Sequence, residues 1–180
     1  MLVEHFHNTH KSAGSYPERL QSILRLKDAE IAFNEISTWP SYEQTPLVSL
    51  NKIAAEIGIK EIYYKDESSR FGLGSFKALG GTYGVLRFIK DALEEEFGKT
   101  VAIEDIRSGK YSNNISKYTV TTATDGNHGR SVAFGAKLFG CKCQIYIHSE
   151  VSQGRHDAIE NLDARVVRVN GNYDKSVEIC

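Results

Sequence analysis

The sequence predicts an α/β fold, a three-layer αβα arrangement around an open parallel sheet. Three observations predict it. From Tyr118 onward, strand-like and helix-like stretches alternate as β, α, β, α, β. Upstream, a short aromatic run precedes a long stretch of helical periodicity. The composition, 41% hydrophobic and 25% charged over 180 residues, is that of a globular chain able to build a core.

The elements follow in order. Pro17, Pro40 and Pro46 are the only prolines and all lie in the first quarter, so about Leu2 to Leu50 reads as a wrapping arm laid on another domain, with a short helix over Glu30 to Thr38. Glu61 to Lys65 (EIYYK) reads as a strand. Ser75 to Leu93 sets Phe76, Leu79, Tyr83, Leu86 and Leu93 at helical spacing, with Lys77 in the first turn. Asp91 to Glu96 reads as a solvated helix end. Gly98 to Lys117 reads as a long surface loop, rich in Ser, Asn and Lys from Gly109. Then come a strand (YTVTTA, from Tyr118), a loop (TDGNHG, Thr124 to Gly129), a helix to Phe139, a strand (CQIYIH), a helix from Ser152 to Leu162, a strand (ARVVRV) and the start of a helix within Gly171 to Cys180. Such alternation implies parallel strands joined by right-handed crossovers. The Thr124 to Gly129 loop then lies at a strand's carboxyl end, where open α/β sheets bind ligands.

Charge and cysteine usage narrow the function classes. A net charge of -1 from 22 basic and 23 acidic residues provides no global basic field, so neither nucleic acid nor an anionic membrane is an expected partner. Cys141, Cys143 and Cys180 lack C-x-x-C spacing and are odd in number, which argues against a disulfide framework or zinc site and for a reducing, cytoplasmic compartment. Met1 to His10 has no signal-peptide core, and no stretch approaches the roughly 20 apolar residues of a membrane helix. His5, His7 and His10 are spaced as metal ligands can be, but lie in a polar terminal stretch, and no metal is expected. Cys141 and Cys143, at a helix-to-strand turn, read as small buried thiols.

Two segments carry the chemistry. The first is KDESSRFGLGSFKALGG, Lys65 to Gly81. A helix start carries partial positive charge from unpaired N–H groups, which disfavours a second positive charge and suits a lysine that attacks an aldehyde as the neutral amine. Position alone leaves open that Lys77 is an ordinary solvated lysine. The second is TATDGNHG, from Thr122. Its glycines and helix-start N–H groups form a cradle for a carboxylate or phosphate. Asp125 is an odd choice for holding an anion, so two readings stay open for it: a proton-transfer residue or an Asx-type helix cap.

Together these runs resemble the pyridoxal-phosphate enzymes of fold type II, the group of tryptophan synthase beta, threonine dehydratase and serine racemase. With aspartate before the glycine of TATDGNHGR, they are most similar to the diaminopropionate ammonia-lyase family. The similarity extends more weakly from Thr45-Pro46-Leu47 to about Tyr173. The resemblance implies that Lys77 holds pyridoxal 5'-phosphate covalently, with Phe76 beside it, and that Asn127 contacts the cofactor's ring hydroxyl oxygen. It implies that Thr124, Asn127 and His128 grip the substrate carboxylate. It makes Lys77 and Asp125 the catalytic pair, Asp125 taking the α-proton of the isomer whose hydrogen faces away from Lys77. The implied reaction is α,β-elimination of D- and L-2,3-diaminopropionate to pyruvate and ammonia by a homodimer.

Family members are longer, and their glycine-rich phosphate cup lies in a second half that this chain does not show. The expectation is therefore an N-terminal portion: residues 1–86 as part of the large cofactor-bearing domain, and residues 87–180 as a small mobile α/β domain. Two rivals are carried. A serine or threonine dehydratase of the same fold type would share Lys77 and Asn127 but needs no base at Asp125. A truncated chain acting only as an interaction module would need neither.

Overall fold

The computed structural model describes residues 7–10, 14–124 and 126–180. The chain parts into two units, residues 1–38 and residues 39–180. Within the first, helix α1 covers Glu18–Gln21 and α2 covers Leu26–Ile36. Helix α2 therefore begins four residues ahead of the predicted Glu30 start. Its opening is locked by Asp28, which accepts the Arg25 backbone N–H at 2.8 Å and the Arg25 guanidinium at 2.9 Å.

The second unit opens with an antiparallel pair, β1 (Leu47–Ser49) and β2 (Tyr63–Lys65), around the short helix α3 (Asn51–Glu56). The strand expected at Glu61 to Lys65 is thus real, but it pairs with β1 and stands outside the parallel sheet. Helix α4 runs unbroken over Lys77–Phe97. It buries Ala78, Thr82, Val85, Leu86, Ile89 and Leu93, a stripe at 3.6-residue spacing that faces the interior. Gly98, at φ 63°, ends it in the left-handed turn that suits glycine, its N–H reaching the Glu94 carbonyl at 2.9 Å.

The stretch from Gly98 to Lys117 corrects the sequence expectation. It holds two short helices, α5 (Ile103–Arg107) and α6 (Ser112–Ile115), and buries Val101, Ile106, Tyr111 and Ile115. The glutamates that end α4 anchor it. Glu94 pairs with Lys90 and accepts the Val101 N–H at 2.9 Å, while Glu96 accepts from Asn114 at 2.7 Å and from the Tyr118 hydroxyl at 2.6 Å. Desolvation first, and the bond to Glu96 second, push the Tyr118 phenol up to about 12. Asp91, Glu95 and Glu96 are exposed, as expected of a solvated helix end, and this end of α4 also brackets the next segment.

The parallel sheet has the order β3-β4-β5: β3 is Thr119–Ala123, β4 Lys142–His148 and β5 Arg165–Val169. Val120 pairs with Cys143 and Ile145 with Val166. Helices α7 (Asn127–Phe139) and α8 (Gln153–Glu160) make the two crossovers. Successive crossovers in one direction put both helices on one face. Cys143, Ile145 and Ile147, buried at alternate positions of β4, share a face, and Ile145 meets α7 at Gly129. Helix α9 (Tyr173–Ile179) packs across all three strands from the other face, where Cys180 Sγ lies 3.3 Å from Thr121 Oγ1. The three-layer parallel-sheet architecture is therefore as the alternation predicts. Helix α4 packs against α7, its most extensive helix partner.

Candidate active site

The site forms where α4 and α7 both begin. Lys77 is the first residue of α4, with Phe76 as its N-cap. The loop before it is pinned from several sides. Phe71, in the left-handed region at φ 49°, stacks within 6.0 Å of Trp39 and 5.4 Å of Phe134. Arg130, in the first turn of α7, donates to the Leu73 carbonyl at 3.0 Å.

Strand β3 delivers Thr124 to the start of α7 at the sheet's carboxyl end, as the βα order requires. Thr124 is buried at 4% exposure, and its Oγ accepts the N–H groups of Gly126 at 3.2 Å and Gly129 at 3.3 Å. Both lone pairs are used, so the hydroxyl proton is what it can offer to a ligand. A Cβ on Gly129 would sit 2.4 Å from Thr124 Cγ2, so glycine there lets the helix close on the strand end. Asn127 and His128 are the first two residues of α7, and both are exposed.

Two hollows meet at Lys77 and His128. The larger, about 740 Å³, is apolar and runs between β3 and α4, lined by Phe76, Gly80, Gly84, Val85 and Phe88 among others. The smaller, about 590 Å³, is polar and holds Lys77, Thr124, Asn127, His128, Arg130 and Arg155 among its walls. The structure thus brings together Lys77, Phe76, Thr124, Asn127 and His128. Asp125 lies outside the described residues.

Arg130 and Arg155 are wall residues that the sequence reading did not single out. Arg130 directly follows the GNHG run, so its place was readable. Arg155 reaches the same wall only through the β4-to-α8 crossover, and no local pattern announces that. Three cationic side chains and a helix start make this hollow suited to a small anion. Outside the site, burial pushes the thiols of Cys141 to about 11 and Cys143 to about 12. His156, Asp157 and Glu160 cluster on α8, largely exposed.

A lysine at one helix start, sharing a cation-walled hollow with a second helix start on a parallel αβα sheet, fits the class of fold type II pyridoxal-phosphate enzymes. The chain belongs to the family described as pyridoxal-phosphate dependent enzymes, whose sequence profile matches residues 38–180. Within that family it is similar to diaminopropionate ammonia-lyase of Escherichia coli K12, at 38% identity over 138 residues, covering 77% of this chain and 33% of that protein. The Salmonella typhimurium diaminopropionate ammonia-lyase is 35% identical over 141 residues, covering 78% and 35%. The crystal structure of the holo E. coli enzyme superposes with a TM-score of 0.74 at 38% identity, covering 85% of this chain and 38% of that one. The chain spans about a third of the length of the relatives it matches.

The residues present fit pyridoxal phosphate. Lys77 opens where the hollows join, and Gly80 and Gly84 leave the wall of the larger one bare, with no atom within 4 Å of a Cβ built on either. Arg130 Nε is the buried side-chain nitrogen without a partner among the described residues, at the wall of the polar hollow.

Proposed function

We propose that this chain supplies the N-terminal portion of a pyridoxal-phosphate-dependent ammonia-lyase acting on 2,3-diaminopropionate. The observation that carries the reading is the meeting of Lys77 with Asn127 and His128 in one polar hollow. The similarity to diaminopropionate ammonia-lyases supports the substrate.

Lys77 would hold the cofactor through Nζ, and Asn127 would donate to its ring hydroxyl oxygen. When bound, pyridoxal phosphate supplies an electron sink for charge developing at the substrate α-carbon. Thr124 donates its hydroxyl proton to the substrate carboxylate, since both its lone pairs are engaged by Gly126 and Gly129. The α7 start, through Asn127 and His128, completes the carboxylate cradle. Phe76 and the bare glycine wall leave room beside Lys77 for the flat cofactor ring on the apolar side. With the substrate amine in its place on the cofactor, the freed Lys77 Nζ would remove the α-proton of the L-isomer and Asp125 that of the D-isomer, so that two bases on opposite faces would allow both to lose the β-amino group as ammonia. Water then hydrolyses the released three-carbon enamine, giving pyruvate and a second ammonia.

The domain division at residues 86 and 87, a cytoplasmic location and a homodimeric state belong to the same proposal. The free cysteines support a reducing compartment, and no helix among the described residues is long and apolar enough to cross a membrane. Exposed Leu47, Val48, Tyr63 and Tyr64 on the antiparallel pair support an assembly that covers them.

The test is release of pyruvate and ammonia from D- and L-2,3-diaminopropionate, run against serine and threonine, in the protein completed over the length of its relatives. Preference for diaminopropionate is the expected result. Turnover of serine or threonine without diaminopropionate would move the assignment to a dehydratase.

A further inference from the structure

We infer that Ser131 is a positioning residue for Lys77, an inference that rests on the reading of Lys77 as the cofactor lysine. Ser131 lies in the second turn of α7 and is fully buried. Its hydroxyl donates to the Lys77 carbonyl at 2.5 Å. A serine inside a helix ordinarily satisfies its hydroxyl on its own backbone, one turn back. Here the proton goes to another helix, onto the backbone of the one residue whose place the chemistry depends on.

The surroundings leave space for this arrangement. A Cβ on Gly81 would fall 2.2 Å from Ser131 Oγ and 2.8 Å from its Cβ, so only glycine at 81 leaves the hydroxyl room to reach Lys77. Thr82, also fully buried, returns the contact by donating its hydroxyl to the Ser131 carbonyl at 3.0 Å. The two helices clasp reciprocally, each giving one hydroxyl to one carbonyl of the other. Next to Ser131, Arg130 holds the Leu73 carbonyl. Adjacent residues of α7 thus fix the backbone at Lys77 and just upstream of it. The same helix begins with Asn127 and His128, so this clasp links the Lys77 backbone to the helix that carries the anion cradle, and Ser131 sets their separation.

The experiment uses the 180-residue chain with millimolar pyridoxal phosphate, borohydride trapping and peptide mapping. It compares modification of Lys77 with that of Lys65, whose amine is tied to the Thr45 carbonyl at 2.5 Å. In the parent chain Lys77 is modified in preference to Lys65. In Ser131→Ala the Lys77 to Lys65 ratio falls roughly three- to tenfold, the factor corresponding to one lost hydrogen bond. Gly81→Ala with Ser131→Gly refills the space with a methyl group but supplies no hydroxyl. Its melting temperature returns toward the parent value while the ratio stays low. An unchanged ratio in Ser131→Ala, or a ratio restored by the double variant, overturns the role of the hydroxyl. No preference for Lys77 in the parent chain instead overturns the reading of Lys77, and the inference with it.

Discussion

Glu67 grips Arg70 with both carboxylate oxygens, at 2.8 Å to Nε and 2.9 Å to the second terminal nitrogen, in a place where the arginine side chain is only 5% exposed. The guanidinium also donates to Thr45 Oγ at 2.9 Å and to the Glu43 carbonyl at 2.8 Å, so every face of it is engaged. This network ties the segment around Thr45 to the loop that leads to Lys77. A buried, doubly bonded pair costs desolvation on both sides, and it holds because the geometry is complete.

Stability at acid pH is the first expected consequence. The Arg70 hydrogen bond, more than any other influence, holds the Glu67 carboxyl at about 2 against its ordinary 4.5. A folded-state value below the unfolded one means stability present above pH 4.5 and lost as pH falls toward 2. The contribution at neutral pH is on the order of 3 kcal/mol. Chemical denaturation of Glu67→Gln should show a lower midpoint at pH 7 and a much flatter decline between pH 5 and pH 2 than the parent. Parallel declines in both proteins would show that other carboxylates govern the acid transition.

Two glycines should respond to alanine in opposite directions. On Gly129 a Cβ would meet Thr124 Cγ2 at 2.4 Å and Ile145 Cγ2 at 3.1 Å. Thr124 cannot swing away without giving up the N–H groups it caps, so Gly129→Ala should cost about 2 kcal/mol, or roughly 4–8 °C in Tm. On Gly80, inside α4, nothing lies within 4 Å, and alanine should raise Tm by improving helix propensity by roughly 0.5–1 kcal/mol. Thermal unfolding followed by circular dichroism distinguishes the pair. A Tm drop for Gly80→Ala would mean that its wall is packed by something.

The cysteines should react unequally. Cys143 is 7% exposed and burial pushes its thiol to about 12, while Cys141 is pushed to about 11. The thiolate is the nucleophile, and at pH 8 both residues hold almost none of it. Cys180 is exposed. Iodoacetamide at pH 8 followed by peptide mapping should therefore modify Cys180 well ahead of the other two. Fast labelling of Cys143 would show that β4 opens on the timescale of the reaction.

These features differ in how far the sequence announces them. The α4 stripe and the βαβαβ order are periodic and local, so spacing alone places Lys77 at a helix start and TDGNHG at a strand end. Helix α2 starts early because Asp28 caps Arg25, and arginine is not a residue whose type signals a helix start. Helices α5 and α6 depend on Glu94 and Glu96 reaching forward to Val101, Asn114 and Tyr118, contacts that a Ser/Asn-rich stretch does not advertise. The Ser131 bond to Lys77 spans 54 positions and becomes visible only once α4 and α7 pack.

Asp125 provides the sharpest test of the proposed chemistry. It sits in sequence between Thr124, which caps α7, and Gly126, the N-cap itself. A carboxylate in an anion cradle repels the substrate carboxylate, so its presence calls for a role that outweighs this cost, and proton removal is one. If Asp125 is the base for the D-isomer, Asp125→Asn keeps the size and removes the base. Turnover of D-diaminopropionate should then fall by roughly 10²- to 10⁴-fold. The L-isomer should lose far less, because its α-hydrogen faces Lys77 and the asparagine removes a repulsive charge without removing that amine. Rates for the two isomers, measured by pyruvate release on the same preparation, give a ratio that general destabilisation of the protein cannot shift. Equal losses for both isomers would make Asp125 a structural cap of α7 and would move the reading toward a dehydratase that needs no second base.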